Sequence, residues 1–283
     1  MKNHTRFACC ALLMLLSVPT LFAQCAALIH GVCGFVYRDG LFVKAINYVP
    51  STSSSANGIT KDQRIVGSYF YNSSGAFLYE GGVYTQVIDP YESGGTSANG
   101  INNNGQIVGA YYDSQHVAHA FLKTGDTYLT IDYPGATTSV AWAINDSAMV
   151  VGSYKANDNT HGFTYLNGTF TTLDFPGANY TEPAGINNAG DIVGIFIFEG
   201  ENNYTGFLYS NGQFSGIQYP GAFLTGATGI NNNGIIVGWQ VSAFTAQGWS
   251  LANGRFTDIV VPGATDTFAS AVNDNGDIVG FVD

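Results

Sequence analysis

The chain has 283 residues, of which 10% are charged, and its 20 acidic residues outweigh 9 basic ones for a formal charge of −11. A surface of that sign repels phosphate backbones and anionic lipid, which excludes nucleic acid and an anionic membrane surface as expected partners. The 36 glycines, 17 tyrosines and 19 phenylalanines fit short strands joined by tight turns and argue against a helical or disordered chain.

Residues 1–23 read as a secretory signal peptide. Lys2 and Arg6 supply the positive start, 7–22 are mostly apolar, and Ala23 offers a small residue for cleavage. The run is too short for a membrane span, and no later segment is long and apolar enough to be one. The expected product is secreted or periplasmic, with 24–283 forming one domain. Loss of Lys2 and Arg6 leaves 7 basic against 20 acidic residues, a net of −13. Gln24 before Cys25 is a poor fit to lipoprotein processing, so a lipid anchor is not expected. Cys25 and Cys33, in an oxidising compartment, form either a disulfide that staples the N-terminal tail or two unpaired thiols.

A phrase then recurs along the chain. It reads Gly-Ile-Asn-Asn-Asn-Gly-Gln-Ile-Val-Gly at 100–109, with near copies at 185–194 and 229–238 and looser ones at 58–67, 143–152 and 271–280. The closing glycines, Gly67, Gly109, Gly152, Gly194, Gly238 and Gly280, are spaced by 42, 43, 42, 44 and 42 residues. So steady a period marks a repeat architecture. The unit at 181–220 predicts strands over 181–187, 191–198, 205–209 and 213–219, with Asn-Ala-Gly and Ser-Asn-Gly as hairpin turns. No window after the signal holds a 3.6-residue period, so no helix is expected there.

Two columns of the repeat carry the local chemistry. Asn102, Asn145, Asn187, Asn231 and Asn273 open the first turn, where an Asn side chain bonds its own downstream backbone. Asn273-Asp274-Asn275-Gly276-Asp277 looks like part of a calcium loop but lacks the terminal bidentate Glu, so the turn reading is preferred. The strand glycine of Ile-Val-Gly predicts a seat for an aromatic of the next strand, the column Phe35, Phe77, Phe121, Phe163, Phe207 and Trp249.

Two hairpins per unit, six times, predict an all-β, six-bladed β-propeller of four-stranded blades rather than a solenoid of single parallel turns. The chain starts with the second hairpin of a unit, 34–37 and 41–48, and ends with the first hairpin of one, 267–273 and 277–282. These halves are expected to complete the last blade, closed by the N-terminal strands.

His119-Ala120-Phe121, with the Ile-Asn-Asn-x-Gly-x-Ile-Val-Gly phrase and the Pro-Gly-Ala turn, resembles the bacterial HAF extracellular repeat family over nearly the whole mature chain. The triplet itself is intact once; elsewhere the column reads Cys33-Gly-Phe, Gly75-Ala-Phe, His161-Gly-Phe, Thr205-Gly-Phe and Gln247-Gly-Trp. The resemblance implies an exported bacterial protein and carries no activity or catalytic residue to transfer.

No nucleophile elbow, phosphate loop, His-Glu-x-x-His or Cys-x-x-Cys is present. His119 and His161 share a column one blade apart, which fits either a two-His metal site or a structural slot tolerant of polar groups. The slot is preferred, and no metal or cofactor is expected. Glu182, Glu199 and Glu201 are carboxylates that could serve glycoside hydrolysis but read as solvated loop residues. The expected function is an exported, non-catalytic binding or surface-interaction protein with a carbohydrate or protein partner. The alternative is an extracellular propeller hydrolase or lyase acting on a polymer or lactone at the channel mouth.

The tight hairpin turns emerge on one face and are nearly alike in every unit. The variable loops and Pro-Gly turns emerge on the other, and a repeat protein varies where it needs function. The expected ligand-binding residues are therefore Tyr91, His116, Tyr180, Glu199, Glu201 and Phe223, with Trp142 pointing toward the channel from a column that elsewhere holds Asn57, Asn99, Ala184, Thr228 and Ser270.

Overall fold

The computed structural model describes residues 32–283. The signal-peptide reading of 1–23 and the fate of Cys25 lie outside the described residues. Cys33, buried at the start of the first strand, is disulfide-bonded.

The regular structure of the described residues is all strand. One sheet holds β3 (Ser53–Ile59), β4 (Ile65–Tyr71), β5 (Ser73–Glu80) and β6 (Val83–Val87). The next holds β7 (Thr96–Ile101), β8 (Ile107–Tyr112), β9 (Ala118–Thr124) and β10 (Thr127–Thr130). A longer path contains β11 (Thr138–Ile144), β12 (Val150–Ala156), β13 (Asn159–Leu166) and β14 (Thr169–Thr172), followed by β15 (Ala178–Ile186), β16 (Ile192–Phe198), β17 (Thr205–Ser210) and β18 (Gln213–Ile217). A single parallel bridge, Thr160 to Tyr180, joins its two halves. Then come β19 (Leu224–Ile230), β20 (Ile236–Ser242), β21 (Thr245–Ala252) and β22 (Arg255–Ile259).

The remaining sheet is built from both ends of the described chain, in the order β2 (Leu41–Ile46), β1 (Cys33–Arg38), β24 (Ile278–Val282), β23 (Thr267–Val272). β1 and β24 run antiparallel, with Phe35 opposite Gly280. This is the expected closure, and Arg38 reinforces it: its guanidinium grips the fully buried Asp277 carboxylate just before β24.

Within each unit the chain runs outward. β3, β7, β11, β15, β19 and β23 contact one another in turn, and β23 returns to β3, so these strands surround an axis. Their small residues suit the crowded centre. Each also carries a β-bulge, for example between Ala56 and Gly58 and between Pro183 and Gly185, where the strand bends and twists more strongly. The core lies between neighbouring sheets: Val193 packs with Ile217, Ala227 and Trp249.

The turn asparagines do more than close turns. Asn231 Oδ1 accepts from the backbone of Asn233 and Ile235, as expected, while its Nδ2 donates to the Asn273 carbonyl of the next unit. Asn102, Asn145 and Asn187 repeat this bond, and Asn273 carries the series on to the Thr60 carbonyl, where a threonine stands in the asparagine column and its hydroxyl bonds Asp62 of its own turn. The residues just after them form a second series, in which each backbone N–H donates to the next unit's side chain, from Lys61 through Asn103, Asp146, Asn188 and Asn232 to Asp274. The carboxylates of the calcium-like stretch are thereby engaged, Asp274 by Asn232 and Asp277 by Arg38.

Candidate ligand-binding face and central channel

Strand direction assigns the two ends of the ring. The inner strands end at the tight turns and begin at the Pro-Gly turns, so the variable loops share a face with the Pro-Gly turns. That face carries the exposed aromatics Phe70, Tyr71, Tyr91, Phe223 and Phe244, the last 98% exposed. None of the tight turns carries one.

The predicted residues fall in two places. Tyr91, His116, Glu199, Glu201 and Phe223 are exposed on the loop face. Tyr91 donates its N–H to Asp89 Oδ1, Phe223 donates its own to the Val241 carbonyl, and Glu201 closes a turn on Phe198. His116 holds a φ of 59°, in the left-handed region. Tyr180 begins the channel side of β15. Trp142 sits lower, at the bulge of β11, donating from Nε1 to Ser153 Oγ. It lines a central cavity of about 110 Å³ with Asn57, Asn99, Ala184, Thr228 and Ser270. The rest of that cavity's wall includes the tight-turn residues Lys61, Asp146 and Asp274, so Trp142 belongs to the hairpin end of the axis and apart from the loop residues.

Glu182, read from sequence as a solvated loop residue, stands instead in β15 and is half-buried. Alternation puts Tyr180, Glu182 and Ala184 on one face of that strand. Tyr180 donates its hydroxyl to Glu182 Oε2 at 2.8 Å. Burial pushes the Glu182 carboxyl above its ordinary range despite that bond, and burial together with Glu182 pushes the Tyr180 hydroxyl up. At the level of Glu182 the other inner strands carry Ser55, Ser97, Val140, Gly226 and Phe268, aligned by their register with the second strands.

The shared histidine column resolves into two matching pairs. His119 Nδ1 lies 2.6 Å from Asp132 Oδ2, and His161 Nδ1 lies 2.8 Å from Asp174 Oδ2. The other oxygen of each Asp accepts the N–H of the residue after the His, and each ring stacks on a tyrosine, Tyr111 or Tyr154. Each histidine is thus held by an aspartate of its own sheet. Among the described residues no group of three or more His, Cys, Asp or Glu side chains is placed to hold a metal ion. Burial opposes a charge on His119, but Asp132 and Asp113 outweigh it and raise its pKa above the ordinary 6.5. A raised native pKa stabilises the fold fully below 6.5, and that contribution fades as pH rises through the native value. His119→Gln is therefore expected to cost more stability at pH 5 than at pH 8.5 in denaturant titrations. An equal cost at both would refute the pairing as the cause.

No protein-family model matches the chain, and no curated protein matches it in sequence. Among solved structures, the putative TolB from Agrobacterium tumefaciens aligns with a TM-score of 0.70 over 89% of this chain and 97% of that one, at 9% identity. The chain has an all-β propeller-like fold. TolB from Acinetobacter baumannii aligns at 0.58, over 95% of this chain and 68% of that one, at 11% identity. A triple-arginine mutant of AofleA from Arthrobotrys oligospora aligns at 0.50, over 88% and 83%, at 15% identity. At these identities the likeness extends to the propeller fold alone. No helix of the described propeller is long and apolar enough to cross a membrane.

Proposed function

We propose that the chain is an exported, non-catalytic binding protein of the HAF repeat type, built on a six-bladed β-propeller, which engages a carbohydrate or protein partner through its loop face. The six-blade reading is supported by the four-strand runs, by the one-residue bridge that divides the eight-strand path in two, and by the circuit of inner strands. Export is supported by residues 1–23 of the sequence. The observation that carries the binding reading is the segregation of exposed aromatics, Phe70, Tyr71, Tyr91, Phe223 and Phe244, onto the variable face. Exposed apolar rings gathered on one surface mark interaction sites, and flat rings with a polar rim suit sugar faces and protein hot spots alike. A hydrolase or lyase needs paired carboxylates or an acid–base set at the channel mouth. At the level of Glu182 the neighbouring inner strands offer serine, valine, glycine and phenylalanine instead.

The test is a glycan array and a screen of purified surface proteins with two sets of variants. Tyr91→Ser, Phe223→Ser and Phe244→Ser together are expected to weaken any hit by about tenfold or more, each lost anchor being worth roughly 1 kcal/mol. Gln213→Lys with Arg255→Glu, at the tight turns, is expected to leave it intact. The reverse pattern would overturn the assignment of faces.

A further inference from the structure

The loop-side half of the axis is lopsided. On one side its wall is small: Ser55, Ser97 and Val140 on the inner strands stand opposite Ser68, Ala110 and Ser153 on the second strands. The other side holds Glu182, then Gly226 opposite Trp239, then Phe268 opposite Phe281. Gly226 is what lets Trp239 reach inward. A Cβ at that position would lie 2.5 Å from the indole, so the ring lies over the inner strand itself.

The rings that lead on from Tyr180, the partner of Glu182, meet nearly at right angles. Tyr180 and Tyr204 have centroids 6.1 Å apart at 77°, and Tyr204 and Trp239 have centroids 6.3 Å apart at 71°. Phe268 continues the wall 5.9 Å from Trp239. Tyr204 is fixed in place because its carbonyl accepts the N–H of Thr225 on the neighbouring inner strand. All four rings and Glu182 are half-buried, so the group is walled without being sealed. Among the described residues no cation pairs with Glu182, whose one side-chain bond comes from Tyr180.

We propose that Tyr180, Tyr204 and Trp239, with the Glu182 carboxylate, form a recognition site for an organic ammonium ion, a quaternary or methylated amine presented at the loop end of the channel. A ring face is the negative pole of its quadrupole and attracts a weakly hydrated cation. The half-buried carboxylate supplies the countercharge that such a cation leaves behind in water. The acidic loop at 199–201 and the net charge of the chain draw cations toward this mouth. Binding also restores the ionised form of Glu182 that burial disfavours, so affinity falls on acidification from above the usual glutamate range. The titratable groups joined to it are Tyr180 directly and Tyr204 through Tyr180. The site rests on the loop-face reading and gives it a ligand class.

The experiment is calorimetric titration of the purified protein with choline and with 3,3-dimethyl-1-butanol, its neutral isostere. Choline is expected to bind saturably and the alcohol about tenfold or more weaker, because the shape is shared and the charge is not. Glu182→Gln, which keeps volume, is expected to lower choline affinity by about tenfold and to flatten its pH dependence. Trp239→Ala is expected to abolish binding and Trp239→Phe to restore part of it, with melting curves to show that each variant is folded. Equal affinity for choline and the alcohol, or no saturable choline binding by the parent, overturns the proposal. The Tyr91, Phe223 and Phe244 triple variant separates the two readings. It is expected to keep choline binding while losing the larger partner; if it keeps both, the loop-face assignment fails and the ammonium site stands.

Discussion

Arg38→Ala should lower the unfolding free energy by about 3 kcal/mol or more, the largest loss expected of any single surface-reaching side chain in this fold. Arg38 ends β1 and Asp277 precedes β24, so their bidentate pair ties the first strand of the described chain to the last. The two partners differ in exposure: the Arg38 side chain is 39% exposed and that of Asp277 is 0%. Removing the guanidinium takes away both hydrogen bonds that Arg38 gives the buried carboxylate and leaves the Asn273 amide as its side-chain donor, at 3.2 Å. Removing the charge at Asp277 instead leaves a cation that water can partly solvate, so Asp277→Asn should cost less than Arg38→Ala. For a domain of this size, about 3 kcal/mol corresponds to roughly 6–12 °C in Tm. Thermal and urea unfolding of both variants decide the matter. An Arg38→Ala protein that melts within about 2 °C of the parent would mean that β-sheet pairing alone closes the ring.

Gly194→Val should cost about 2 kcal/mol or more by overpacking. A Cβ there would sit 2.1 Å from the Glu182 carbonyl oxygen and 2.7 and 2.8 Å from the Phe207 ring. The aromatic seat expected from the repeat is present, but the nearer obstacle is backbone. The inner strand's carbonyl crowds the same position at Gly67, Gly109, Gly152, Gly238 and Gly280, at 1.8 to 2.2 Å. A ring can tilt away, whereas the bulged strand carrying that carbonyl cannot move without disturbing the axis. Gly194→Ala should therefore retain most of the penalty of the valine variant. Gly216→Ala, on the outer strand β18 with nothing within 4 Å of the added carbon, should change stability by no more than about 0.5 kcal/mol. A Gly194→Val protein as stable as the Gly216→Ala protein would show that the inner strand yields.

What could be read from the sequence alone shares one property: it repeats, or it is set within a few residues. The four strands of each unit, both tight turns, the glycine opposite an aromatic, and the junction of the terminal half-units follow from spacing and local φ preferences. The predicted strands at 191–198 and 205–209 lie within a residue of β16 and β17 at each end. The predicted strand over 213–219 ran long because Tyr219 is drawn into the Pro-Gly turn, its N–H donating to Thr225 Oγ1.

What only the tertiary structure decided depends on register between sheets. The turn asparagines were legible as turn formers, but their second amide bond spans about one repeat, 42 to 44 residues in most units, and depends on how neighbouring sheets pack. His119 finds Asp132 because β9 and β10 pair, and nothing local marks the two as partners. Glu182 looked like one more acidic residue near variable loops; its place on the channel side of β15 follows from alternation counted through a bulge. Tyr180, Tyr204, Trp239 and Phe268 come from different strands and a loop, and no local rule orients their rings. The one clue within reach was Gly226, a glycine at the channel-facing position where the other inner strands carry Ser55, Ser97, Val140, Glu182 and Phe268. The space it leaves is visible only once Trp239 is seen to fill it.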